Sequence, residues 1–168
     1  MTANPGQPRA RLAVSGDAPE IVRLREVMFA AMGLDTSGPT WQEMCRLHLE
    51  ANLGSARLIG AVVEAPGGNG LAASGVAEVF ARIPSPGLPN GAYAYLSSFS
   101  TDPRWRRRGY AKSILSLLLE QLHDAGVARI ELHASADGSP LYQSFGFVDR
   151  TGGREMRLLR ATISPAGG

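Results

Sequence analysis

STDPRWRRRGYAKSIL, Ser100 to Leu115, joins the end of a strand, an arginine-rich turn with a glycine, and the start of a helix. The strand side is AYAYLSSFS, Ala92 to Ser100, an antiparallel reading that ends where Asp102 and Pro103 stop ladder pairing. The helix side starts near Gly109 and places Ala111, Ile114, Leu115, Leu118, Leu122 and Ala125 on one stripe, with Gly126 as its stop. A turn of this kind aims the unpaired N–H donors of a helix start, and the positive end of its dipole, at one point. Arg104, Arg106, Arg107 and Arg108 add side-chain charge, so the favoured ligand carries several negative charges, as a pyrophosphate does. A solvated basic turn is the alternative. Neither GxxxxGK[ST] nor GxGxxG occurs, which sets aside the two common nucleotide motifs.

Outward from this stretch, the spacing predicts two helices, three strands, a helix, a strand, a short helix and a closing strand. The first helix runs from Ala18 to about Met32, with Asp17 and Glu20 at capping-box spacing and Ile21, Leu24, Met28 and Ala31 recurring behind them. The second runs from Thr40 to about Leu53, its apolar side Trp41, Met44, Cys45, Leu47 and Leu49. RLIGAVVEA (Arg57 to Ala65) and GVAEVFARI (Gly75 to Ile83) read as a hairpin around PGGNG. ARIELHA is a short strand, Ser139 to Phe145 a short helix, and Glu155 to Arg160 the closing strand. Residues 1–10 and 162–168 read as tails, leaving 11–161 as one domain.

Composition narrows the function classes. The 168 residues are 44% apolar and 19% charged, enough for one packed core, and no apolar run reaches the length of a membrane helix. Lys112 is the only lysine beside sixteen arginines, the side chain whose fork suits phosphate and carboxylate. A net charge of +2 and no aromatic-interleaved basic face argue against nucleic acid. Cys45 stands alone, which excludes an intrachain disulfide and a multi-cysteine metal site, and no metal is expected. With no apolar leader in MTANPGQPRA, the expected setting is cytoplasmic.

RRRGYA, Arg106 to Ala111, resembles the [QR]xxGx[GA] motif of the GNAT superfamily of acyl-CoA-dependent N-acetyltransferases. TDPRWRRRGYAKSIL is similar to the family's strand-end, proline, aromatic, arginine and glycine-turn sequence. SPLYQSFGF, Ser139 to Phe147, is similar to its second motif, a Leu-Tyr pair followed by Gly-Phe. The resemblance implies a mixed α/β fold: a mostly antiparallel twisted sheet with a splayed parallel strand pair, flanked by about four helices. It implies acetyl-CoA as cosubstrate, with the pantetheine arm in the gap between Ala92–Thr101 and Arg129–Ser135. The backbone of Phe99, Ser100 and Thr101 would then pair with the pantetheine amides and polarise the thioester carbonyl. N–H groups from Arg107 through Arg108, Gly109, Tyr110 and Ala111 to Lys112 would hold the pyrophosphate, with Arg106 at the motif's first position.

By the same resemblance Tyr142 is the general acid that protonates the departing thiolate; the alternative is a packed aromatic. Ser135 stands where the family often has a coenzyme-binding asparagine, and Gly138 where it often has alanine. AYAYLSSFS holds no carboxylate for the family's usual strand base, so Glu78 and His133 are the candidates. Glu78 could instead pair with Arg82, and His133 could be a satisfied half-buried side chain. Ser97 and Ser98 could orient a water. Gly33–Trp41 and Pro84–Tyr93 would form the acceptor site, with Asp35, Glu43 and Trp41 available to a cationic amine. The expected activity is direct, ternary-complex transfer of an acetyl group to a primary amine of a small acceptor. A noncatalytic acyl-CoA-binding module is the alternative, and a homodimer the expected assembly.

Overall fold

The structure, a computed structural model, describes residues 9–150, which divide into two compact units between His133 and Ala134. The first unit contains β1 (Arg11–Leu12), α1 (Ala18–Ala31), α2 (Pro39–Asn52), β2 (Leu58–Glu64), β3 (Leu71–Ala81), β4 (Ala92–Thr101), α3 (Tyr110–Asp124) and β5 (Arg129–Leu132). The second contains α4 (Ser139–Gln143). The expected order is present, with β1 added at its head. The closing strand expected around Glu155 lies outside the described residues.

The sheet runs β1-β2-β3-β4-β5, antiparallel throughout except for the parallel pair β4–β5. This is the mixed α/β fold expected from the sequence. β1 is two residues long and so carries no periodicity to read. It pairs Arg11 with Val62, and the Ala10 N–H donates to Ser113 Oγ at 3.0 Å.

Both faces of the sheet are covered, which explains why Leu71 to Ala77 are all buried rather than alternating. On one face Ile21, Val22 and Leu24 of α1 pack with Leu58, Val62 and Val76, joined by Leu49 of α2. On the other, α3 presents Ile114, Leu115, Leu118 and Leu122, all fully buried. Each such side chain contributes about 1.5–3 kcal/mol of burial free energy. α3 sits close because Gly75 lacks a side chain: a Cβ there would lie 2.7 Å from Ile114 Cγ2 and 3.1 Å from the Phe99 ring.

Three local expectations change. Ala31, the last residue of α1, and Ala125, just past the end of α3, are exposed. Of the apolar side assigned to α2, Leu49 is buried and Cys45 partly so, while Met44 and Leu47 face outward at 62% and 46% exposure. Asp17 and Glu20 form no capping box. Asp17 accepts from Arg11 at 2.8 and 2.9 Å and from the Val14 N–H, and Glu20 accepts from Arg23 and the Leu71 N–H. Nearby arginines and the Leu71 N–H take the two carboxylates in place of the cap.

Candidate active site

The parallel ladder between β4 and β5 runs from Tyr93↔Arg129 to Leu96↔Leu132, and β4 continues five residues beyond it, 97–101. Across the β3–β4 pair the register slips between Ser74/Ser100 and Val76/Ser97, so β4 carries one extra residue. Ser98 sits at this bulge with φ +58°, a left-handed conformation that costs a non-glycine residue roughly 1–2 kcal/mol. Its side chain is buried, and its hydroxyl accepts from Arg25 Nη1. Ser100 Oγ donates to the Leu24 carbonyl at 2.7 Å, tying the strand beyond the bulge to α1.

β4 ends one bond later than expected, because the Asp102 N–H donates to the Ala72 carbonyl at 2.9 Å before Pro103 stops the ladder. Asp102 then holds the turn. Its carboxylate accepts from the Arg104 N–H, from Arg104 Nε and Nη2 at 3.0 and 2.9 Å, and from Arg23 Nη1 at 2.9 Å. These cations hold Asp102 far below the usual carboxylate range, the Arg104 bond being the largest cause. Arg23 is itself forked on Glu20 and donates to the Leu71 carbonyl, so α1, β3 and the turn are joined through one network. Arg104 therefore serves the turn's structure.

Arg106, Arg107 and Arg108 are exposed, with Arg106 Nε donating to the Thr101 carbonyl and the Arg108 guanidinium 4.9 Å from the Trp105 ring. Arg107 at φ +60° and Gly109 at φ +79° turn the chain into α3. The Ser113 N–H bonds the Gly109 carbonyl at 3.0 Å, so the N–H groups of Tyr110, Ala111 and Lys112 stand before the first intrahelical bond.

The face of the sheet on the α1 side gathers the two candidate bases. Glu78 stands opposite Tyr95 in the β3–β4 register, and the Tyr95 hydroxyl lies 2.5 Å from His133 Nδ1. Beside them Tyr93 donates to Glu131 at 3.2 Å, and burial with the Glu131 charge pushes its phenol pKa up. The expected Glu78–Arg82 alternative is not what Arg82 does: its guanidinium lies 3.9 Å from the Tyr93 ring centroid. Glu78 borders a cleft of about 670 Å³ with His48, Asn52, Arg57, Phe80 and Asn90. Tyr95 was missed in the sequence, where AYAY showed only alternation and the parallel register was invisible. The bulge was missed because serine carries no left-handed signature.

Trp41 stacks edge-on against Phe29 at 5.4 Å, joining α2 to α1 rather than forming a cage. Burial pushes the Cys45 thiol up, away from the nucleophilic thiolate. In the second unit Tyr142 is buried in α4, edge-on to Phe147 at 5.9 Å, and burial pushes its phenol up to about 12. Ser135 Oγ accepts from the Gly138 N–H at 3.1 Å, a turn that leads into α4. A Cβ at Gly138 would lie 3.2 Å from that oxygen, so glycine suits the serine here.

The family model of the acetyltransferase (GNAT) domain matches residues 77–162. A predicted acetyltransferase with acetyl-CoA from Clostridium acetobutylicum is similar in fold, with a TM-score of 0.77 and 21% identity over 89% of this chain and 95% of that one. A GCN5-related N-acetyltransferase from Ralstonia eutropha JMP134 gives 0.75 and 26% over 89% and 97%. Glucosamine-6-phosphate N-acetyltransferase from Arabidopsis thaliana gives 0.66 and 16% over 89% and 97%. No curated protein matches the sequence at a significant level. With the family model spanning just over half of its length, and the strand end, glycine turn and helix start in the family's order, the chain belongs to the GNAT acetyltransferase domain family.

Proposed function

We propose that this protein transfers an acetyl group from acetyl-CoA directly to a primary amine of a small acceptor. The observation that carries the reading is the run of β4 past its last β5 partner, through the bulge at Ser98, to the glycine-led start of α3. In this reading the backbone of Phe99, Ser100 and Thr101 pairs with the pantetheine arm and stabilises charge developing on the thioester oxygen. N–H groups of residues 107–112 and the exposed arginines 106–108 take the pyrophosphate. Ser135 adds a coenzyme contact. Tyr142, kept protonated by burial, donates to the departing thiolate. Glu78, opposite Tyr95 in the β3–β4 register, and His133, hydrogen-bonded to the Tyr95 hydroxyl, are the proton acceptors for the amine. The cleft beside Glu78 falls within the volume range of small-ligand sites, which supports a small acceptor. The raised Cys45 thiol supports transfer without a covalent relay. The expected homodimer is read by sedimentation equilibrium.

A coenzyme-binding module without turnover is the second reading, favoured by the absence of a carboxylate in Ala92–Thr101. Coenzyme A release with a broad amine panel, compared between wild type and Tyr142→Phe, separates the two.

Thermal shift with acetyl-CoA, coenzyme A, ATP and NAD tests the coenzyme site. Saturation at a hundredfold excess over Kd stabilises by about 2.7 kcal/mol. Gly109→Glu abolishes the shift, and Gly109→Ala is the control, because both strain a residue held at φ +79° while only glutamate adds charge. Absence of any shift with acetyl-CoA or coenzyme A sinks the acetyltransferase reading.

A further inference from the structure

Arg25 projects from α1 toward the bulge of β4, and its partners are all neutral. Nη1 donates to the Ser98 hydroxyl, the cation lies 5.1 Å from the Phe29 ring centroid, and Nε is buried with no hydrogen-bond partner. Arg11, Arg23, Arg46 and Arg104 each hold one or more carboxylates, whereas among the described residues no ion pair includes Arg25. A half-buried guanidinium with an unsatisfied N–H is an exception to the rule that buried polar groups are paired, and it calls for a partner such as a ligand, an ion or a water.

Its position says which ligand. Ser98 directly precedes Phe99, Ser100 and Thr101, the stretch that the proposed function gives to the pantetheine arm and the thioester. Ser98 and Ser100 both bond to α1, through Arg25 and the Leu24 carbonyl, so Arg25 stands on the α1 side of the strand at the level of the reacting group. With one Nη1 proton on Ser98, the guanidinium keeps N–H donors that no hydrogen bond among the described residues takes up, and its planar geometry matches a planar oxyanion. We infer that the acceptor is an amino acid-like amine whose carboxylate is bound by Arg25. The inference rests on the acetyl-transfer reading of the same site.

The test compares kcat/KM for free α-amino acids with kcat/KM for the matching α-carboxamides, in wild type, Arg25→Gln and Arg25→Lys. Acids are favoured at least about tenfold in wild type, as loss of a charge-assisted pair requires. Arg25→Gln, which removes the charge, brings the ratio toward one, and Arg25→Lys restores part of it. A wild-type ratio near one, or an unchanged ratio in Arg25→Gln, overturns the inference. Aminoalkylphosphonates outcompeting the amino acids reassign the oxyanion to a phosphoryl group and also overturn it. Should Arg25→Gln fail to fold, thermal shift of wild type with coenzyme A plus N-acetylamino acids or their carboxamides gives the same answer: tighter binding of the acids supports the inference, equal or absent binding overturns it. Loss of the acetyl-CoA shift itself would instead overturn the transfer reading, so the two failures are distinguishable.

Discussion

Tyr142 shows what burial does to a single group. Buried in α4, its phenol is pushed up to about 12 by desolvation, so it remains a proton donor through the whole range in which amines are acetylated. Tyr142→Phe is expected to lower kcat by about a hundredfold while leaving the acetyl-CoA thermal shift in place, measured by steady-state kinetics and melting in parallel. The same group links stability to alkaline pH. Its folded pKa lies above the unfolded value near 10, so its stabilising contribution is complete below pH 10 and is lost as pH rises toward about 12. Urea midpoints between pH 9 and 11.5 are expected to fall less steeply in Tyr142→Phe than in wild type. An equal slope would place the phenol in water.

At the scale of elements, the seat of α3 on β3 controls the shape of β4. Gly75 allows Ile114 and the Phe99 ring to meet over the sheet, and Phe99 follows the bulge residue directly. Gly75→Ala is expected to destabilise by about 1–3 kcal/mol through overpacking, seen as a lower urea midpoint with an unchanged m-value. Ile114→Ala removes the nearer clashing atom, so the double variant costs less than the two single losses added. Strict additivity would mean that the backbone, and not Ile114, absorbs the contact. The elements themselves were legible: α1, α2, α3 and the β2–β3 hairpin fall within a few residues of their expected bounds, because amphipathic spacing and the stops at Gly54 and Gly126 are local signals.

For the whole molecule, a net charge of +2 conceals an uneven distribution. Arg11, Arg23, Arg46 and Arg104 are consumed in ion pairs, while Arg106, Arg107 and Arg108 stand exposed beside the start of α3. Binding of acetyl-CoA is therefore expected to weaken as sodium chloride rises from about 0.05 to about 0.5 M, because exposed charges are screened over a Debye length of a few ångströms at the higher salt. Acetyl-pantetheine, which lacks the phosphates, is expected to show no such trend in the same calorimetric titration. A salt-independent Kd for both would remove the arginines from the coenzyme site.

Local sequence determined the order of α1 to α4 and β2 to β5, the glycine turn after β4 and the family, since each depends on neighbours within a few residues along the chain. The tertiary structure decided what lies across space: the parallel register that joins Tyr95 to His133, the extra residue at Ser98, and the capture of Arg104 by Asp102 while Arg25 keeps only neutral partners. The physical reason is that each cation or hydroxyl had several partners available in sequence. Packing of α1 and α3 on opposite faces of one sheet selected among them.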